Sequence, residues 1–126
     1  MQKLLLIGLA GLIGTLARFG VSDVIAKRFT SSFPLATLVV NLIGCLLAGF
    51  LFQLVQERLA LNAVAGAALM IGFLGGFTTF SAFGLQTFVL IRDGAIGVAL
   101  FNVLLSNLVG VLMVWVGYTA AKLSFT

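Results

Sequence analysis

The sequence predicts an all-α integral membrane protein with four transmembrane helices, and three observations carry that reading. The 126-residue chain is 62% hydrophobic and 8% charged, with a mean hydropathy of +1.28. A soluble domain of this size could not hide so much apolar surface, because a small domain buries only part of what its chain exposes. The apolar residues fall into four runs, each near or above the ~20 residues that cross a bilayer. The punctuation between them is short: KRFTSSFP, QERLA and RDG. Backbone groups in lipid need internal partners, and helices supply them. The chain therefore reads as a single integral membrane domain, residues 1–126, with no linker and one proline, Pro34.

The first run covers about residues 4–26. Its start, MQKLLLIGLAGLIG, could pass for a signal peptide. The later runs are membrane segments in any case, so the first is read as an uncleaved helix. The second run, about 35–55, follows Pro34. The third, about 61–91, is long, at about 30 residues where ~20 suffice. Tilt could absorb the excess, and so could a break in the stretch GGFTTFSAF, because glycine is where a helix most easily gives way. Helix three is accordingly expected to be broken near Gly75–Thr79. The fourth run covers about 95–121. Four spans place both termini on the same side. Gly72 and Gly76 form a GxxxG, and Ala10–Gly14 and Gly44–Ala48 are similar pairs of small residues. Such pairs let helices approach closely in lipid and support self-association.

Flanking charge sets orientation through an excess of Lys and Arg on the cytoplasmic side. Here Lys3, Arg58 and Lys122 fall on one side and Lys27, Arg28 and Arg92 on the other. The count is balanced. Either six charges are too few to judge, or the chain inserts both ways up. Oppositely inserted copies could pair as an antiparallel homodimer, as inverted repeats do within one chain.

Composition also excludes functions. Histidine is absent, which removes the commonest general base and transition-metal ligand. Cys45 is alone, so there is no internal disulfide and no Cys/His cluster. No nucleophile–base pair stands out, and an enzyme is not expected. The net charge of +4 comes from cations at span ends, which reads as topology and not as nucleic-acid binding. The acidic residues are Asp23, Glu57 and Asp93, all near span ends. A proton-coupled exporter of cationic drugs would need a mid-membrane carboxylate, and a cation channel would favour acidic rings.

Polar residues inside the spans form stripes. Thr37 and Asn41 lie four apart in helix two, with Gly44 and Ala48 continuing that face. Asn102, Ser106 and Gly110 repeat at the same spacing in helix four, and Asn107 lies on a neighbouring face. Phe80 and Phe83 share a face of helix three, with Thr87 further along and Ser81 pointing elsewhere. Each residue alone reads as an interhelical hydrogen bond. Together they could line a file of partners. Asn amides and hydroxyls donate hydrogen bonds, and phenyl rings have a positive edge, so the file suits a small anion. Arg18 could draw anions to an entrance, or could simply snorkel to the helix end with Asp23 as its partner. A backbone leaving the helix near Gly75, Gly76 and Thr78 would free carbonyls suited to a hard cation such as Na⁺.

At GFLGGFTTFSAF the chain resembles the Fluc (CrcB) family of fluoride channels. TLVVNLIGC and the LARF around Arg18 resemble two further landmarks of that family, and the likeness covers essentially the whole chain. The resemblance implies a fluoride-selective passive channel in the bacterial inner (plasma) membrane, which exports cytoplasmic fluoride and lowers its toxicity. It implies an antiparallel dual-topology homodimer with two pores, needing no other protein. It assigns Asn41, Thr37, Phe80, Phe83 and Ser81 to the pore, with Ser106 and Asn102 from helix four. It sets Arg18 near the vestibule. The backbone carbonyls of Gly75 and Thr78 would hold a structural, non-transported Na⁺ at the dimer centre. Two departures stand out: Asn102 replaces a tyrosine of some relatives, and Ala82 replaces the Thr or Ser of their FSTF.

Overall fold

The computed structural model describes residues 1–58 and 63–124, and among them the secondary structure is helical. Helix α1 (Gln2–Arg28) ends where Phe29 turns extended. Five residues later Pro34, which has no amide to leave unsatisfied, caps α2 (Leu35–Gln53). A π-helical turn, Leu54–Arg58, extends α2. The third membrane segment begins with α3 (Ala63–Ala67), widens into a π-helical stretch at Ala68–Phe73, and tightens again in α4 (Leu74–Phe77). After Thr78 and Thr79 comes α5 (Phe80–Arg92), and α6 (Ile96–Ser124) closes the chain. Four helical spans are long and apolar enough to cross a membrane: Gln2–Arg28, Leu35–Gln56, Ala63–Arg92 and Ile96–Ser124. The expected start of the third run, at residues 61 and 62, lies outside the described residues.

The α5–α6 corner shows local chemistry setting topology. Gly94 has φ +81°, a left-handed conformation open to glycine without steric cost. Its amide bonds the Ile91 carbonyl at 3.0 Å, and the Ala95 amide bonds Leu90 at 2.8 Å. This pair of bonds is the Schellman cap, which satisfies the last carbonyls of a helix. It folds α6 back against α5 in three residues.

Packing rests on missing side chains. Helices α2 and α6 approach so closely that a Cβ on Gly49 would strike the Val114 carbonyl, and one on Gly117 the Leu46 carbonyl. Helix α1 lies against the first half of the third segment in the same way. A Cβ on Gly14 would strike the Phe73 carbonyl, on Gly72 the Ile7 carbonyl, and on Gly76 the Gly11 carbonyl. The GxxxG of Gly72 and Gly76, expected to serve self-association, is thus spent within one chain. So are Gly14 and Gly44, the latter against the methyl of Thr78. The periodicity was right and the partner was not, because small-residue spacing marks a close approach without naming the opposite helix. Large apolar residues cover the outside, among them Leu12, Leu16, Phe19, Leu104, Leu108 and Val111, as a chain solvated by lipid requires.

A cavity beside an interrupted helix

The third segment leaves helical geometry at Thr78 (φ −83°, ψ 159°) and Thr79 (φ −149°, ψ 110°), and resumes at Phe80. Gly75 and Gly76, the residues that drew attention to this stretch, remain helical within α4. What parts the two halves is a set of hydrogen bonds. The side-chain amide of Asn41 donates from Nδ2 to the Thr79 carbonyl at 3.0 Å, and its Oδ1 accepts the Thr79 amide at 2.9 Å. Asn41 behaves as a strand neighbour would, offering a donor and an acceptor in one plane. Thr79 then caps α5, its Oγ1 accepting the Ala82 amide at 3.3 Å, as N-cap hydroxyls do. Thr78 closes α4 by donating both its amide and its hydroxyl to the Leu74 carbonyl, each at 2.9 Å.

This arrangement redirects two amides. In a continuous helix Thr79 would donate to Gly75, and Ala82 to Thr78. Here those amides go to Asn41 Oδ1 and Thr79 Oγ1. The Gly75 and Thr78 carbonyls are thereby released from the helical ladder, and Gly75 faces open space. Oxygen donors of this kind fit a hard monovalent cation. Among the described residues no cluster of three His, Cys, Asp or Glu side chains offers a metal site.

Next to the break lies a cavity of about 500 Å³, open on one side, bounded by α2, the third segment and α6. Of the candidate residues, Asn41, Gly75, Thr78, Phe80, Phe83 and Ser106 line it. The Phe80 and Phe83 rings sit 5.6 Å apart and are tilted by 43°, so they present different edges. Phe80 is 82% exposed. The other candidates lie elsewhere. Asn102, 2% exposed, donates to Thr87 Oγ1 at 3.0 Å. Thr87 in turn donates to the Phe83 carbonyl at 2.8 Å, and Ser106 donates to Asn102 Oδ1 at 3.4 Å. A polar relay therefore runs from Ser106 through Asn102 and Thr87 to the Phe83 carbonyl of α5. Thr37 is buried and borders a second cavity of about 280 Å³ between the end of α1, the α1–α2 loop and α5. Ser81 is exposed, its hydroxyl 3.4 Å from Thr79 Oγ1.

Arg18 is half-buried and, among the described residues, makes no ion pair. The expected pairing with Asp23 does not form, because Asp23 binds Lys27 at 2.6 Å, one helical turn towards the α1 C-terminus. That register puts the pair at the span end, where both ions keep water. Sequence reasoning passed over Thr79, Cys45 and Met70, which also line the first cavity. It passed over Gln86 as well, whose buried Oε1 has no hydrogen-bond partner among the described residues. A polar residue isolated in an apolar run was the available signal for Gln86.

The sequence model of the family described as CrcB-like protein, Camphor Resistance (CrcB), matches residues 5–118. The chain belongs to the CrcB family. Several relatives share most of their length with this member. The protein of Methylobacillus flagellatus is 39% identical over 125 residues, 98% of each chain. That of Citrifermentans bemidjiense is 40% identical over 122 residues, 97% of this chain and 98% of the relative. That of Solibacter usitatus is 42% identical over 121 residues, 96% and 99% respectively. Each of the three carries the name Fluoride-specific ion channel FluC. With four apolar helices and this kinship, the CrcB member is a multi-pass membrane protein.

Proposed function

We propose that this chain is a fluoride-selective passive channel and not an enzyme. The observation that carries the reading is the cavity beside the helix interruption. Asn41, Phe80, Phe83 and Ser106 meet there, and among the described residues no carboxylate lines it. Asn41 spends one N–H and its oxygen on Thr79, so its second N–H is free to meet an anion. Ring edges of Phe80 and Phe83 add weak positive character. Fluoride must shed tightly held water, and several weak donors replace it without trapping the ion. The names of the relatives supply fluoride as the ion.

The working unit is an antiparallel homodimer of oppositely inserted copies in the bacterial inner membrane, with two pores, each lined from both subunits. Balanced flanking charge and the wide exposure of Phe80 support it, since an aromatic edge at a pore needs a covering partner. Thr37, Ser81, Asn102 and Ser106 continue the polar path, and Arg18 marks the vestibule. The Gly75 and Thr78 carbonyls would hold a structural Na⁺ between the subunits, its charge fixing the two helix interruptions against each other. Transport needs no energy source. A negative-inside potential drives an anion outward with about 2.3 kcal/mol per charge per 100 mV, so cytoplasmic fluoride leaves passively.

The deciding experiment is release from KF-loaded liposomes after valinomycin, read with a fluoride electrode, beside KCl-loaded vesicles. Rapid fluoride release without chloride release is expected; release of neither ion from folded dimer overturns the proposal. The rate should stay constant from pH 6 to 8, which distinguishes a channel from a proton-coupled exchanger. The α5–α6 corner does not disturb that window. The hydrogen bond from Arg92 holds the Asp93 carboxyl below its usual range. Whatever that fully exposed group contributes is present above its ordinary value, and is lost only as pH falls through its lowered one. Phe80→Ile should slow fluoride release about tenfold, or ~1.4 kcal/mol on the barrier, while the fold of each chain is kept, because little of the ring packs within its own chain. An unchanged rate would remove the ring edge from the path.

A further inference from the structure

We propose that Asn107 is a further pore-lining residue that hydrogen-bonds the permeating anion or its accompanying water. The inference deepens the channel reading and rests on it. Asn107 lies three residues from the middle of the 29-residue α6, about 4.5 Å along the axis, so it is well inside the hydrocarbon thickness. Its side chain is nevertheless exposed in the single chain. Only one of its polar groups is used internally: Nδ2 donates to the Val103 carbonyl at 2.7 Å. A second N–H and Oδ1 remain. In hydrocarbon such groups are costly, and polar residues in spans face water-filled paths or protein partners.

The placement selects the path. Asn107 lines the same 500 Å³ cavity as Asn41, Phe80, Phe83 and Ser106. It follows Ser106 directly, and so turns about 100° around the helix. Ser106 leans on Asn102, whereas Asn107 holds on to its own helix backbone at Val103. That back-bond fixes the amide plane and leaves the other N–H as a donor at the cavity wall. Asn41 contributes from α2 and Asn107 from α6, giving the cavity two carboxamides on different helices. Among the described residues around the cavity Cys45 is the one ionisable group, so no fixed charge competes with these amides for the anion.

The test uses the full-length protein in KF-loaded liposomes, with oligomeric state read by size exclusion. Asn107→Asp keeps the shape, removes the donors and adds charge. Asn107→Leu keeps the volume and removes polarity. Asn107→Ser restores a hydroxyl donor. The expected result is at least a tenfold slower fluoride release for the Asp and Leu variants at pH 7.5, with recovery to within threefold of wild type for Ser. The Asp variant should also speed up as pH falls towards 6 and its carboxyl neutralises, after subtraction of leak from protein-free vesicles. A packing role would not produce that pH dependence. Wild-type rates in Asp and Leu variants, alongside a conducting wild type, overturn the assignment and leave the channel reading intact. A Ser variant that assembles normally but stays slow overturns it as well. If Asp and Leu variants fail to assemble, the Ser variant decides alone by the same threefold limit. A wild type that releases no fluoride overturns the channel reading itself, and the assignment with it.

Discussion

Asn41→Asp should slow fluoride release about a hundredfold, or ~2.7 kcal/mol on the barrier to passage. Two losses combine. The carboxylate can still accept the Thr79 amide, but it faces the Thr79 carbonyl with an oxygen where a donor stood. Removing one partner from a part-buried hydrogen bond costs about 1–3 kcal/mol in the desolvation of what is left. The same substitution sets a negative charge at the wall of a cavity whose described lining residues carry none, and an anion would be repelled there. The yield of folded, monodisperse protein and the initial release rate, measured together, separate the two effects. Folded protein with no release reports the charge. Poor assembly reports the broken clamp. Wild-type release would remove Asn41 from any part in conduction.

The second large effect is on assembly of the chain itself. Gly49→Val should lower the melting temperature by roughly 10 °C or more and reduce the yield of monodisperse protein. Overpacking a core ordinarily costs about 1–3 kcal/mol because side chains shift to relieve it. Here the obstacle is the Val114 carbonyl, with the Tyr118 amide close behind. Backbone within a helix cannot turn aside, so α2 and α6 must separate along their length. Gly8→Val is the matched control, since a Cβ there meets nothing within 4 Å. If both variants melt alike, the close α2–α6 approach is not what holds the bundle together.

Much of this was legible in the sequence, and the exceptions follow a pattern. The spans were legible because lipid imposes length and composition at once. The Asn102–Ser106 spacing marked a shared face, and the bond between the two side chains realises it, whereas Thr37 borders a different cavity from the one Asn41 lines. The interruption was expected near Gly75–Thr79, with the glycines read as its cause because glycine is permissive, yet permission is not cause. The chain leaves the helix at Thr78–Thr79, where Asn41, 38 residues earlier, takes the Thr79 amide. A contact at that separation has no local signature. The assignments of Gly72–Gly76 to self-association and of Asp23 to Arg18 failed for the same reason. In each case the residue type was informative, and the choice between rival partners was settled by tertiary packing.

The pair of hydrogen bonds between Asn41 and Thr79 also bears on how fast an ion could pass in the proposed channel. A carboxamide gripped at both its nitrogen and its oxygen has no torsion left to lose. Its spare N–H is therefore oriented before any ion arrives, and orientation costs nothing at the moment of contact. Water around a free ion must reorganise continually, while a dipole locked to a backbone does not. The cost of order was met once, when the chain folded, and in the proposed channel each passing anion would inherit it. The residue that interrupts the helix would thus also be the one that keeps the proposed pathway still.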